Sequence, residues 1–325
     1  AGYVDGEAHP IALDETAWIE LSTSDRRSSG TVSGAAFVLS DVAPATDVVP
    51  SRLAASSLLG LTVRSVVPSL VGGFPTFPGT GRTETFATRL GFTSLSSAPA
   101  TFVLSYRDLE GGGTVDRTVE VPGRSTVEFQ DAVVELFGLA PGTRSQGPLF
   151  VDSTPNGILF CQVYSVTPDG LLGDALPVVD VPGTALTGRD SVTPLFADGL
   201  EQSTSPGTGT RSNLILNEVN GREARVTVRL YEASNRTQAI AEKEIVLPPL
   251  AKLQLSTVFR ELGLDSEERR KDRTNVLVSV TAAPGTEGLV SAVVTRIDNR
   301  TGDTRNLLLT PSGGVAGAGG VTIGF

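Results

Sequence analysis

This sequence predicts an all-β protein with two tandem antiparallel β-sandwich domains. Three observations favour that fold: the composition, a long internal repeat, and the alternation of apolar and polar residues within each copy of the repeat. The 325 residues include 36 glycines and 20 prolines, which is typical of many short strands joined by turns. A chain of this length is expected to form about two domains.

The internal repeat has a period of about 125 residues, long enough for a whole domain. Leu90 aligns with Leu214, and the strand that follows each of them aligns without a gap. Four landmarks recur in the same order. The Pro-centred run 66–70 matches 192–196, and the segments 100–104, 119–139 and 157–165 match 224–228, 245–264 and 288–296, respectively.

Within each copy the apolar residues recur at every second position. Val226, Val228 and Leu230 face one way, and the residues between them are polar or amphipathic. This period indicates antiparallel strands with one buried face. Gly-rich or Asn-rich turns separate the strands, as at residues 110–113 and 233–236, and they predict hairpins.

Each copy also predicts one short helix. Asp131 and Thr257 are the expected N-caps, and Gly138 and Gly263 are expected to end the two helices. Many strands, evenly spaced turns and a single crossover helix in each copy favour an immunoglobulin-like β-sandwich.

We place the first sandwich at residues 66–182 and the second at 183–312, followed by a Gly-rich tail at 313–325. Residues 1–65 do not match a full copy. They are expected to form either a partial domain or an arm that packs on the first sandwich. The elements predicted there are strands at 15–24 and 33–41 and a short helix at 51–61.

The runs "YRDLEGGGTVDRTVEVPGRSTVEFQDAVVELFGL … SVTPDGLLGD" and "IDNRTGD" resemble the tandem immunoglobulin-like β-sandwich modules of secreted bacterial surface proteins. The resemblance covers roughly residues 66–310. It implies the fold, an extracellular or cell-surface location, and an adhesive, spacer or assembly role. It carries no catalytic motif.

Charge and composition exclude several classes of function. The net charge of −10 and the pI of about 4.8 argue against a nucleic-acid partner, which needs a basic face. No apolar run approaches the ~20 residues of a membrane helix. The single cysteine, Cys161, lies in an apolar strand and is expected to be buried. Because methionine is absent even at position 1, we expect a processed, secreted chain.

An enzyme is not expected. The only histidine, His9, lies in the predicted arm, which leaves no catalytic triad in the two sandwiches. The "PGTG" runs lack the ending of a phosphate-binding loop and precede strands. A glycosidase with two carboxylates is the remaining catalytic alternative, although no pair of acidic residues stands out among the 36.

Two Asp-x-x-x-Gly-Asp frames are candidate calcium turns. The first contains Asp169 and Asp174, and the second contains Asp298 and Asp303. Calcium takes roughly six to eight oxygen ligands, some of which a turn can supply from its backbone. The alternative is an ordinary hairpin in which Asp caps its own turn and Gly supplies a positive φ. No other cofactor is expected.

Two glycosylation acceptor patterns fall in predicted turns, at Asn235 and Asn299. They matter only where the producing cell glycosylates surface protein.

The tail ends in an alternating segment in which Val321, Ile323 and Phe325 share one face of an extended strand. Such a segment can add to an exposed sheet edge. We therefore expect head-to-tail assembly of identical chains through the tail, the N-terminal arm, or both; the candidate residues in the arm are Trp18, Ile19 and Leu21. The alternative is a monomeric secreted adhesin or carbohydrate-binding protein whose tail folds back on its own chain.

Overall fold

The computed structural model describes residues 63–74, 85–167, 170–181, 186–189, 193–205, 209–300 and 302–311. All of them belong to one compact unit. The first nine strands are β1 (Val63–Gly72), β2 (Phe86–Ser94), β3 (Ala100–Asp108), β4 (Gly113–Val121), β5 (Thr126–Phe129), β6 (Ser145–Ser153), β7 (Gly157–Thr167), β8 (Gly170–Ala175) and β9 (Val179–Val181). We call them the first sheet pair.

The remaining strands form the second sheet pair. They are β10 (Thr187–Gly188), β11 (Leu195–Gln202), β12 (Thr210–Glu218), β13 (Ala224–Tyr231), β14 (Ala241–Leu247), β15 (Lys252–Leu255), β16 (Arg273–Ala282), β17 (Leu289–Asp298) and β18 (Thr304–Leu308). Helix α1 (Ala132–Glu135) follows β5, and helix α2 (Val258–Glu261) follows β15. Neither helix is long enough to cross a membrane.

The two sheet pairs share one strand order. The first consists of the sheets β4-β3-β6-β1-β9 and β5-β2-β7-β8. The second consists of β14-β13-β16-β11 and of β15-β12-β17, where β18 and β10 both pair with β17. Every pairing is antiparallel. The predicted all-β sandwich is therefore confirmed, and each of the strands β11–β18 has a counterpart ten strand numbers earlier.

The strand order differs from that of an immunoglobulin domain in the placement of the first two strands. In an immunoglobulin domain the first and second strands are neighbours in one sheet. Here β1 pairs with β6 and β9, and β2 lies in the other sheet of its pair between β5 and β7. The chain thus crosses between sheets after its first strand.

The strands form where the sequence alternates, because one face of each is buried between two sheets. In β13, Val226, Val228 and Leu230 are buried and the residues between them are partly exposed, as predicted. The first core is built around Phe92, Phe102 and other side chains of β1–β7. Cys161 belongs to it at 2% exposure, so the prediction that this cysteine is buried is confirmed.

The two helices differ at their N-termini. Asp131 Oδ1 accepts the N–H of Val134 at 3.3 Å, so Asp131 caps α1 as predicted. Thr257 occupies the predicted N-cap position of α2, but with φ 58° its side chain makes no capping hydrogen bond, so the predicted capping interaction is wrong. Its N–H instead donates to Asn213 Oδ1 at 2.8 Å. Gly138 and Gly263, at φ 75° and 74°, end the helices as predicted.

The domain boundaries remain predictions. The elements predicted at 15–24, 33–41 and 51–61, the His9 position and the tail lie outside the described residues.

Candidate functional site between the two sheet pairs

The outer face of the sheet β15-β12-β17-β18 packs against the first sheet pair. Val293 of β17 belongs to the core of the first sheet pair. A third apolar cluster joins β1, β6 and β9 to the second sheet pair through Val219, and its buried members are Val66, Phe150, Val179, Leu186 and Val219. We call this buried contact between the sheet pairs the seam.

A lysine is buried in the seam. Lys252, the first residue of β15, is 8% exposed. Its Nζ donates to Ser69 Oγ at 2.6 Å and to Gln146 Oε1 at 3.3 Å. Gln146 Nε2 in turn donates to Glu110 Oε1 at 2.7 Å. Lys252 therefore connects the second sheet pair to the first through neutral oxygen atoms.

The charge of Lys252 is poorly compensated. Within the described ranges the ammonium forms no ion pair with a carboxylate. Burial lowers the pKa of Lys252 to about 7, and the more distant charge of Glu110 opposes that shift. Burial therefore favours the neutral amine form of Lys252.

Ser69 reaches Lys252 through an irregularity in β1. Ser69 follows Pro68, which has no N–H to donate to a ladder. The register of β1 against β6 shifts between Val67 and Leu70, and such a bulge re-aims a side chain. Ser69 is 2% exposed, and its hydroxyl can also donate to Leu70 O at 3.2 Å.

Ser69 and Gln146 line a cavity of about 360 Å³. Its wall from the first sheet pair is mostly apolar, and its wall from the second is mostly polar. The lining residues are Ser69, Val71, Phe74, Phe86, Gln146, Val163 and Leu176 on one side, and Arg211, Asn213, Ile215, Gln254, Ser256, Thr257, Thr295, Ile297, Thr304 and Asn306 on the other. A cavity of this size and mixed lining is suited to a small molecule.

The Ser69–Lys252 contact has no counterpart in the repeat. The sequence alignment of the runs 66–70 and 192–196 places Leu195 at the position of Ser69, but the strand pairings place Gly199 there. Leu104 pairs with Val151 and Val228 pairs with Val280, so Val67, opposite Leu149, corresponds to Ala197, opposite Val278. Leu90 pairs with Phe129, and Leu214 pairs with Leu255, so Thr126 stands at the position of Lys252. The contact is thus specific to the seam.

Arg211 is the cation of the cavity wall among the described residues. Its Nη1 donates to Asn299 Oδ1, and in the described part of the chain it has no carboxylate partner. Burial lowers the pKa of Arg211 from its ordinary value.

Two polar side chains next to Lys252 lack partners. Asn217 pairs with Lys252 on one neighbouring strand and with Ser291 on the other. Asn217 and Ser291 are both 0% exposed. Asn217 Oδ1, Asn217 Nδ2 and Ser291 Oγ make no hydrogen bond to any residue that the structure describes. Each such group lowers the stability of the folded state.

The structure brings two of the four predicted calcium ligands near each other at the seam. Asp174 lies within β8, and its Oδ2 accepts the N–H of Asn306 at 2.8 Å. Burial raises the pKa of Asp174, and the charge of Asp303 adds to that effect. Asp298 Oδ1 accepts the N–H of Arg300 at 2.8 Å, which is how Asp caps its own turn.

The two Asp frames consequently differ in structure. The first has its Gly-Asp inside strand β8, whereas Gly302 of the second has φ 79° in the turn before β18. Asp169 lies outside the described residues. Among the residues that are described, no three His, Cys, Asp or Glu side chains cluster as a metal site would require. The calcium turns stay a prediction.

The glycosylation candidates occupy different environments. Asn235 is exposed in the turn between β13 and β14, where its Oδ1 accepts the N–H of Thr237 at 3.1 Å. Asn299 is half-buried and its Oδ1 is bound by Arg211. Both assignments remain predictions.

The assembly candidates of the two termini lie outside the described residues: Trp18, Ile19, Leu21, Val321, Ile323 and Phe325.

Sequence reasoning did not find Ser69 and Lys252. The only available signal was a lysine at an alternate position in the apolar segment "AKLQL" (251–255). That pattern indicates a solvent-facing lysine, and it does not reveal that a second sheet pair covers this face.

Comparison with known proteins adds little. No protein-family model matches the chain, and no curated protein matches it. Two solved structures of Bacteroides uniformis β-glucuronidase, one covalently bound to cyclophellitol-6-carboxylate aziridine, are 13% identical over 69% of this chain, with TM-scores of 0.17 and 0.18. The chain spans a quarter of the length of these enzymes. Similarity at this level carries no argument about fold or activity.

Proposed function

We propose that this chain is a non-enzymatic structural subunit of an extracellular filament or surface assembly, in which chains join head to tail by strand exchange. The observation that carries the proposal is the architecture itself: two sheet pairs of the same strand order, coupled through a buried seam, with open strand edges. The resemblance to modules of secreted bacterial surface proteins supports the location.

The seam makes the two sheet pairs one mechanical unit. Its contacts include the Ser69–Lys252 hydrogen bond, the bond from the Asn306 N–H to Asp174, and the packing of Val293 into the core of the first sheet pair. A spacer or filament subunit has to keep its length under load, and a buried interface between its sandwiches provides that stiffness.

Strands β4 and β14 are the equivalent edges at which another strand can add. In the described ranges, β4 pairs only with β3, and β14 pairs only with β13. Both carry exposed charged side chains, among them Arg117 and Glu120 on β4 and Glu242 and Glu244 on β14. Charge on an edge discourages identical edges from pairing, whereas the uncharged segment "VTIGF" (321–325) is not repelled in the same way.

Negative-stain electron microscopy of the full chain and of a version ending at Ser312 tests this function. We expect filaments only from the full chain. The variant Ile323→Asp places a charge on the apolar face of the tail and should abolish assembly. Thr322→Asp places the same charge on the opposite face and serves as the matched control.

Filaments from both lengths would move the connector to the N-terminal arm, where Trp18→Ala, Ile19→Ala and Leu21→Ala can be compared in the same assay. Monomers from every version, at all concentrations reached, would contradict the proposal.

A second candidate function, a secreted adhesin or carbohydrate-binding protein, is favoured by one observation. The cavity at the seam combines Phe74 and Phe86 with amide and hydroxyl side chains such as Asn213 and Thr295, the mixture that small polar ligands require. A glycan-binding screen of the monomer, repeated with Asn213→Ala, tests it. Binding that is unchanged by the substitution would exclude this cavity.

A further inference from the structure

We propose that Ser69 is an acyl-acceptor site, in which the Lys252 amine is the base and the cavity of about 360 Å³ admits a small ester as acyl donor. This modification site does not depend on the assembly proposal. It is also compatible with a non-enzymatic subunit, because each chain accepts one acyl group and does not turn over the ester.

The geometry is that of an activated hydroxyl nucleophile. Such sites place the nucleophile within hydrogen-bonding distance of a base, which a third group orients. Ser69 Oγ lies 2.6 Å from Lys252 Nζ, and Gln146 Oε1 lies 3.3 Å from the same nitrogen. Glu110 holds the Gln146 amide at 2.7 Å, so the orienting group is itself fixed.

The surroundings keep the amine available as a base. Lys252 is a buried cation whose hydrogen-bond partners are neutral oxygens, and burial without a counter-charge favours the neutral form of an amine. Glu110, whose charge opposes that effect, makes its hydrogen bond to Gln146 rather than to Lys252.

Two observations support the assignment to Ser69: it lines the cavity, and its contact with Lys252 has no counterpart in the other copy of the repeat. Ser69 lines the cavity, whereas Lys252 lies behind it. Because Gly199 and Thr126 occupy the corresponding positions of the repeat, the contact is not a structural requirement of this sandwich fold.

The chemical step balances without a further reactant. Ser69 Oγ attacks the carbonyl carbon of the ester while its proton moves to Lys252 Nζ. The bond from that carbon to the alkoxy oxygen then breaks, and the departing alkoxide takes the proton from Lys252. The products are a Ser69 ester and one free alcohol, and Lys252 returns to the neutral amine.

The full-length protein with p-nitrophenyl acetate provides the test. Release of p-nitrophenolate gives the rate, and peptide mapping by mass spectrometry gives the acetylated residue. We expect one acetyl group on Ser69, added at a rate that rises with pH around a midpoint near 7.

Three variants separate the roles. Ser69→Ala should remove the acetyl group from this peptide. Lys252→Met keeps the serine and the length of the side chain but removes the base, and it should slow acetylation of Ser69 by about a hundredfold. Lys243→Met, at a lysine whose side chain is 40% exposed, is the matched control and should leave the rate unchanged.

Circular dichroism and a thermal melt confirm that each variant is folded. Acetylation of Lys252 in place of Ser69, no acetylation of Ser69 in the folded protein, or equal rates in the wild type and Lys252→Met would each overturn the proposal.

Discussion

The buried Lys252 should make the stability of the fold depend on pH. Its pKa is about 7 in the folded protein, against an ordinary value of 10.5. Between these two values the unfolded chain binds more protons than the folded one. Stability therefore rises with pH over this window. Below pH 7 both states are protonated and the full cost of burying the cation is present, whereas above pH 10.5 both are neutral and the cost disappears.

The size of the effect follows from the two pKa values. At about 1.36 kcal/mol for each pKa step, the difference corresponds to an upper value of about 5 kcal/mol in the free energy of unfolding. Water penetration and relaxation of the seam reduce that value, so a change of about 2–4 kcal/mol is the expected result. This is a large fraction of the stability of a typical domain.

Denaturant unfolding of the wild type and of Lys252→Met, measured from pH 6 to pH 10, isolates this contribution. The other titrating groups contribute equally to both proteins, so they cancel in the difference. We expect Lys252→Met to be more stable at pH 6, because an apolar side chain replaces a buried cation. Its advantage should shrink steadily towards pH 10.

Lys243→Met is the control, since its side chain is 40% exposed, and its difference from the wild type should stay flat over the same range. The reasoning would be refuted if the difference between the wild type and Lys252→Met were independent of pH, or if the wild type were the more stable protein at pH 6.

Four further predictions concern single positions. Ser291→Ala should raise the free energy of unfolding by about 1 kcal/mol, because it removes a buried hydroxyl without a described partner; a decrease in urea melts would contradict this. Asp131→Ala should cost about 1 kcal/mol through loss of the α1 cap, whereas Thr257→Gly should stabilise by a similar amount, because glycine adopts φ 58° without strain. Cys161 should resist thiol reagents until the protein unfolds, because it is buried and burial raises its thiol pKa; labelling faster than unfolding would disprove it.

The sequence predicts the strands well, because a strand with one buried face alternates regardless of what lies beyond its own sheet pair. Ala100 and Ala224, aligned in the repeat, are the first residues of β3 and β13. Val226 and Val228 point into the core as the alternation requires. Glycine conformations at Gly138 and Gly263 follow equally from local rules.

The same rules do not predict the seam. Alternation separates an inner face from an outer face, and it assigns polar outer residues to solvent. Asn217 and Lys252 are outer-face residues of this kind, yet both are buried because the first sheet pair covers them. The contact between Ser69 and Lys252 joins residues 183 positions apart, which local periodicity cannot relate.

The polar residues of the seam explain why its apolar contacts have to be extensive. On an uncovered sheet, Asn217, Ser291 and Lys252 would be hydrated at no cost. Covering them leaves three polar atoms without described partners and one cation without a counter-charge. The packing of Val293 and of the third apolar cluster must offset those costs. The strength of the coupling between the sheet pairs is therefore the difference between two opposing terms, and the protonation of Lys252 is the term that solution conditions change most directly.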